Sequence, residues 1–276
     1  MLFGSQDLAR RIERAECGGL EDCVRSLART GTETLALPLA SGLAAFAGAD
    51  SPLTKVAGIG FGEALSDAAL QQVEREFAAR GAGVQIELST LAEAGIAERL
   101  TARGYALAGF ENVLVRPLDR AERFQQRDEI QIETSSEAEL ELWSEVLVES
   151  FANADTQGVA SHDDFPRAEL KRILLGTASS ASRVRYLARR AGEPAGAASF
   201  RLSDGVAQLC GAGTLSPHRR HGVQSALLET RLAHAARAGC DVAVITTRPG
   251  SKSQQNVQKQ GFELLYVRAI LRRPAS

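Results

Sequence analysis

The sequence predicts an α/β protein of two similar halves with a central mixed, mostly antiparallel sheet flanked by helices. Three observations point there. Strand-like apolar runs alternate with amphipathic helical ones along the 276 residues. The chain also matches itself at an offset of 157 residues, with 11 identities in the 50 positions of 68–117. Finally, the stretch 215–228 (LSPHRRHGVQSALL) joins a buried strand to an amphipathic helix through a short loop.

At this offset Ala69 and Leu70 fall on Ala226 and Leu227, and Ala78, Ala79 and Arg80 on Ala235, Ala236 and Arg237. Gly104 and Tyr105 fall on Gly261 and Phe262, and Leu114, Arg116 and Pro117 on Leu271, Arg273 and Pro274. The order of elements agrees as well: helix, strand, helix, a Gly-aromatic stop, strand. Between the two halves lies a polar, highly charged stretch (PLDRAERFQQRD). The expected organisation is therefore a first half at 1–117, a linker at 118–128 and a second half at 129–276.

In the second half 131–134 is a short strand. Ser136 caps a helix whose apolar positions Leu140, Trp143, Leu147 and Phe151 follow helical spacing. A shorter helix covers 165–175. Residues 183–189 and 196–202 are paired strands joined by a turn with Gly192, Glu193 and Pro194. A third strand, 206–215, leads to the helix 224–237, stopped by Gly239. The run 242–246 is apolar throughout, as in a strand buried on both faces. A short helix at 253–260 ends at Gly261, and 264–271 is the last strand.

Composition narrows the function. The chain is 44% hydrophobic and 24% charged with a net charge of −2, so a sizeable core is expected and no global field would gather nucleic acid or anionic lipid. Cys17, Cys23, Cys210 and Cys240 form no CxxC pair and have no metal-ligand spacing with histidines, which predicts reduced thiols and no metal site. Residues 1–16 carry Asp7, Arg10, Arg11, Glu13 and Arg14 and lack the apolar stretch of a secretion signal. No apolar run is long enough to span a bilayer. The expected location is the cytoplasm.

The loop 215–222 carries the chemistry. The first N–H groups of the following helix have no intrahelical partners, and the helix dipole adds partial positive charge there. Together they suit a phosphate or pyrophosphate. Gly222 permits close backbone approach, Arg219 and Arg220 add charge, and Ser225 adds a hydroxyl. Upstream, Gly211, Ala212 and Gly213 interrupt an apolar strand, the pattern of a bulge or of a ligand lying against the backbone.

Residues 129–273 resemble the GNAT family of N-acetyltransferases. The family's loop signature, Gln or Arg, two residues, Gly, one residue, then Gly or Ala, reads here Arg219, Arg220, His221, Gly222, Val223, Gln224, with Gln in the last place. The strand 242–246 and Asn256 ahead of Gly261 and Phe262 follow in the family's order. The resemblance implies acetyl-CoA as co-substrate, inserted where the strands 206–215 and 242–246 splay apart. Its expected contacts are Gly213, Thr214, Leu215, Arg219, Arg220, His221, Gly222, Val223, Gln224, Ser225 and Asn256. The implied reaction is direct transfer of an acetyl group to a primary amine on a small molecule or a peptide. The alternative is a catalytically silent acyl-CoA-binding sensor or scaffold.

The family's frequent general acid, a Tyr four residues ahead of Gly261, is replaced by Val257. Ser253 is the nearest hydroxyl on that helix, and a helix cap is its competing role. Carboxylates available as a base are Glu145 and Glu149 on the helix after Ser136, and Asp163 and Asp164 beyond it; His162 titrates in the right range. Of these, Glu149 and Ser253 are the expected catalytic pair. In the first half the aligned segment 59–67 reads IGFGEALSD, where Glu63 and Asp67 would repel phosphate. That half is expected to have lost CoA binding and to act as a packing partner or part of the acceptor pocket. A chain holding both halves can be a monomer, although a homodimer is also open.

Overall fold

The computed structural model describes residues 3–121, 127–153, 159, 166–180 and 182–275. Helix α1 (Gln6–Arg29) opens the chain. The Ser5 hydroxyl accepts from Leu8 N–H at its start, and Asp7 in its first turn and Arg29 in its last complement the dipole. The first half continues with β1 (Leu35–Leu39), β2 (Gly42–Phe46), β3 (Lys55–Ala57), α2 (Asp67–Ala78), β4 (Val84–Ser89), α3 (Ile96–Ala102) and β5 (Ala106–Pro117). The second half has β6 (Ile130–Thr134), α4 (Leu140–Ala152), α5 (Arg167–Gly176), β7 (Arg183–Arg190), β8 (Glu193–Ser203) and β9 (Val206–Thr214). It ends with α6 (Val223–Arg237), β10 (Val242–Thr247), α7 (Lys252–Gln258) and β11 (Glu263–Arg273).

The 157-residue offset holds for these elements: it carries α2 into α6, β4 onto β10, α3 onto α7 and β5 onto β11. Local chemistry explains most boundaries. Ser136 and Glu139 close a capping box over a 3-10 turn that feeds α4. The β7–β8 turn is tighter than expected: only Ala191 and Gly192 form it, at φ 53° and 82°, and Glu193 and Pro194 already belong to β8. Trp143 and Leu147 enter the core as their spacing predicts, whereas Phe151 at the end of α4 is 40% exposed.

The strands form one sheet in the order β1-β2-β3-β4-β11-β5-β10-β9-β8-β7-β6. Among the described strands, only β3–β4 and β9–β10 pair in parallel. The halves have exchanged their last strands. β5 does not return to β4 but lies antiparallel beside β10, and β11 lies antiparallel beside β4. Where β5 and β11 meet, Glu111 is the Cα partner of Arg268, the residue 157 positions further on. A local two-fold relation between the halves passes through this pair.

Separate cores lie on the two faces. On one, α6 packs Ala226, Leu227, Leu228 and Leu232 against Ala188, Phe200, Leu209 and Ala243, each buried leucine contributing about 2 kcal/mol. The other face holds α1, whose Ala9, Ile12 and Ala15 pack on Val113, Val115, Val206, Val242 and Val244 of the second-half side. Its Leu20 and Val24 pack on Leu43, Ala45 and Ala57 of the first. One helix thus bridges both halves.

Candidate active site

The parallel pair β9–β10 is joined from Val206↔Val242 to Leu209↔Ile245, and no further. Beyond that row β9 keeps its other neighbour, β8, through a bulge at Gly211, whose φ is +46°. The strands therefore part at Cys210 and leave the stretch to Thr214 open on the β10 side. The glycines that looked out of place in an apolar strand sit at this opening. Gly213 has a second reason to be small: a Cβ there would lie 2.4 Å from Ser150 Cβ of α4. The hydroxyls of Thr214 and Thr247 are buried and have no hydrogen-bond partner within the protein. An amide-rich chain lying in the opening would supply partners to both the hydroxyls and the free backbone edge.

Below the opening, α6 begins at Gly222 in the left-handed region (φ 83°), with no side-chain cap. Arg220 is also left-handed, at φ 64°. Arg220 and His221 are exposed at the loop, while Val223 is buried and Gln224 and Ser225 are half-buried. The Arg219 guanidinium bridges the carbonyls of Thr214 and Asn153, tying the end of β9 to the end of α4. Arg127 donates to the Gly222 carbonyl (2.6 Å) and pairs with Glu229 (2.8 Å), so the chain entering the second half braces the loop. The arrangement fits a pyrophosphate: an uncapped helix start, a left-handed glycine and nearby cations.

The same place in the first half is filled. Ser66 caps α2 by accepting from Ala69 N–H, Asp67 stands in its first turn, and the Glu93 carboxylate accepts from Gly62 N–H at 2.9 Å. The carboxylate at this loop is Glu93, from outside the segment 59–67, and not Glu63.

The residues expected to be catalytic lie on α4 and α7. Glu149 is half-exposed; hydrogen bonding and charge from Arg167, 2.7 Å away, hold its carboxyl below the usual range. Glu145 pairs with Lys171. Ser253 is exposed on α7, and the cap of that helix is Ser251, which accepts from Gln254 N–H. Asn256 is half-buried on the same helix and Val257 is in the core beneath it. His162, Asp163 and Asp164 lie outside the described residues. Cys210 touches Ser199 (3.5 Å) and Arg183 (3.9 Å); burial would raise its thiol, and the charges of Arg183 and Arg201 outweigh that and lower it. All four cysteines are free, and among the described residues no group of His, Cys, Asp or Glu could hold a metal.

Sequence reasoning passed over a set of ionised groups on the α1 face. Arg268, 1% exposed, bonds Glu13 (2.8 Å) and Glu111 (3.0 Å) and lies 3.5 Å from Glu87. Lys55 bonds Glu16 and Glu87, each at 2.9 Å. Glu16 also accepts from Gln208 of β9, and Glu13 from the Tyr266 hydroxyl. A signal existed: Glu111 and Arg268 are charges inside strand-like runs and stand at equivalent positions of the repeat. An open cavity of about 910 Å³ reaches this set, lined by Ser51, Lys55, Glu87, Glu111, Pro166 and Arg272 among others.

Comparison with known proteins agrees with this geometry. The model of the acetyltransferase (GNAT) family matches residues 143–262, the span holding the opening, the loop and both flanking helices. The matched span lies within the second half. The fold of the whole chain is similar to a GCN5-related N-acetyltransferase from Kribbella flavida, at 20% identity and TM-score 0.64, covering 93% of this chain and 95% of that one. It is also similar to a tandem GNAT protein from the clavulanic acid biosynthesis pathway, at 12% identity and TM-score 0.62, covering 95% and 96%. A third structure, a GCN5-related N-acetyltransferase from Sphaerobacter thermophilus, covers 80% of this chain and 72% of its own at 16% identity and TM-score 0.55. A search of curated proteins finds no sequence match. No helix among the described residues is long and apolar enough to cross a membrane.

Proposed function

We propose that the chain is an acyl-CoA-dependent N-acyltransferase that moves an acetyl group from acetyl-CoA to a primary amine. It would act in the cytoplasm, with one acyl-CoA site, in the second half. The observation that carries this reading is the combination of the parted strands β9 and β10 with the uncapped start of α6. The pyrophosphate would lie on the N–H groups of Val223, Gln224 and Ser225, with Arg220 and His221 at its edge. The pantetheine arm would run along Gly213, Thr214 and Leu215, with Asn256 on its other side. A backbone N–H of parted β9 would face the thioester carbonyl, where negative charge develops during attack.

We read the first half as a duplicated partner that has lost its own site, because Ser66, Asp67 and Glu93 take up its anion position. Since the two halves already pair within one chain, a monomer is the expected unit.

Calorimetric titration of acetyl-CoA, with wild type and Gly222→Asp side by side, tests the proposal. The expected result is one site per chain, lost in the variant. Two sites would refute the silent first half. No binding at all would return α6 to the status of an ordinary helix start.

A further inference from the structure

Glu149 is held in an ion pair with Arg167, and Ser253 is an exposed hydroxyl on α7. A further carboxylate lies where β10 ends. The pairing of β10 with β5 ends at Thr247↔Asn112. Glu111, the next residue of β5, is therefore level with the point where β10 has stopped. It lies on the α1 face, since its carboxylate meets Arg268 and Arg268 meets Glu13 of α1. At a strand spacing of roughly 4.8 Å, the parted edge of β9 is two strands away, about 10 Å across the sheet. A bound thioester would lie between them. Glu111 is 26% exposed and lines the 910 Å³ cavity. That cavity is walled mainly by first-half residues, with Pro166 at the head of α5 on its far side.

We propose that Glu111, brought to the second half's site by the exchanged strand β5, is the general base of the transfer, and that the acceptor amine approaches it through the cavity beside Lys55 and Glu87. This rests on the acyl-CoA site of the second half. In the step, the ammonium form of the amine first passes a proton to Glu111, and the freed nitrogen lone pair bonds to the thioester carbon. The C–S bond then breaks, its electron pair leaves on sulfur, and the thiolate takes up one proton. The nitrogen then loses its second proton, which balances the one gained by sulfur, and the proton held by Glu111 returns to solvent.

The surroundings suit a base at neutral pH. Glu111 is faced by Glu13 and Glu16 of α1, Lys55 of β3, Glu87 of β4, and Tyr266, Arg268 and Arg272 of β11, with Asp50 at the rim. Burial and the nearby Glu87 carboxylate raise its carboxyl to about 7, against the pull of Arg268 and Lys55. A base poised near the working pH transfers protons most effectively. The first half then has a role in the reaction although it holds no CoA site of its own, because it supplies the base and the acceptor's pocket.

The test compares two small amines, each with acetyl-CoA at pH 7, by release of free thiol. Methylamine is almost wholly protonated there, as alkyl amines titrate near 10.4, and it must lose a proton before attack. Hydroxylamine is already neutral. Glu111→Gln keeps an acceptor for Arg268 but removes the base. The expected result is a roughly 100-fold loss with methylamine and little change with hydroxylamine. In wild type, the methylamine rate should fall more steeply below about pH 7 than protonation of the amine alone gives, in line with the raised Glu111 carboxyl, and the variant should lose that extra dependence. An equal loss with both amines would mean Glu111 only holds the structure, and overturns the proposal. So would an unchanged methylamine rate, or wild-type protein that binds acetyl-CoA by calorimetry yet releases thiol with neither amine. Absent acetyl-CoA binding would instead bring down the underlying acyltransferase reading.

Discussion

Glu111 and Arg268 stand 157 residues apart, occupy equivalent positions of the two halves, and face each other across the centre of the sheet as an ion pair of 3.0 Å. In a pair of identical halves the two positions would hold the same residue, and like charges would meet. Here they are complementary, so the pair favours first half against second half over either half against its own copy.

Removing Arg268 should be costly. Its guanidinium is 1% exposed and serves Glu13, Glu87 and Glu111 together. Arg268→Met leaves those carboxylates without their shared cation. Loss of one partner from a buried ionic group costs about 3–5 kcal/mol. Urea unfolding should show a midpoint lowered accordingly; an unchanged midpoint would mean Lys55 alone neutralises the set.

Stability should depend on pH in two opposed ways. Burial opposes ionisation of Glu16, but Lys55 and Arg268 outweigh it and hold its carboxyl far below the usual range. A carboxyl depressed on folding contributes stability above its unfolded value, near 4.3, and that contribution is lost as pH falls. Glu111 has the reverse sign. Raised to about 7, it contributes stability at low pH that is lost as pH rises through that value. Melting temperature against pH should therefore fall on the acid side, and Glu111→Gln should flatten the decline toward neutrality while leaving the acid limb intact.

Arg127→Ala should loosen the phosphate loop without touching the reacting atoms. Its bonds to the Gly222 carbonyl and to Glu229 would be lost. A charge-assisted hydrogen bond is worth about 1.5–3 kcal/mol, so acetyl-CoA affinity should weaken roughly tenfold or more. The turnover rate at saturating acetyl-CoA should stay near wild type. A fall in turnover alone would contradict the bracing role.

Trp143 anchors α4 beneath the opening. It is fully buried and its indole N–H donates to the Ala198 carbonyl at 3.2 Å. Trp143→Phe should cost about 1 kcal/mol by removing that hydrogen bond, and Trp143→Ala about 3–5 kcal/mol. Thermal unfolding of the two variants should rank in that order.

Much of the fold can be read along the chain because the forces that set it are local. The spacing of Leu227, Leu228 and Leu232 makes a helix face, Gly222 marks the left-handed start, and the glycines of β9 mark its bulge, each within a few residues of what it controls. The 157-residue offset in sequence and in element order points to two copies of one unit. Which strand neighbours which is not local. β5 and β11 carry similar apolar patterns and could each complete either half, so nothing within a single strand says that they are exchanged. That choice follows from the whole sheet, from α1 crossing both halves, and from charges such as Glu111 and Arg268 that find partners only once distant strands meet. The loop proposed to hold acyl-CoA is thus written in consecutive residues. The base and the acceptor's cavity exist only where the two halves join, because burial and neighbouring charge, which no single segment carries, are what shift Glu111 away from an ordinary surface carboxylate.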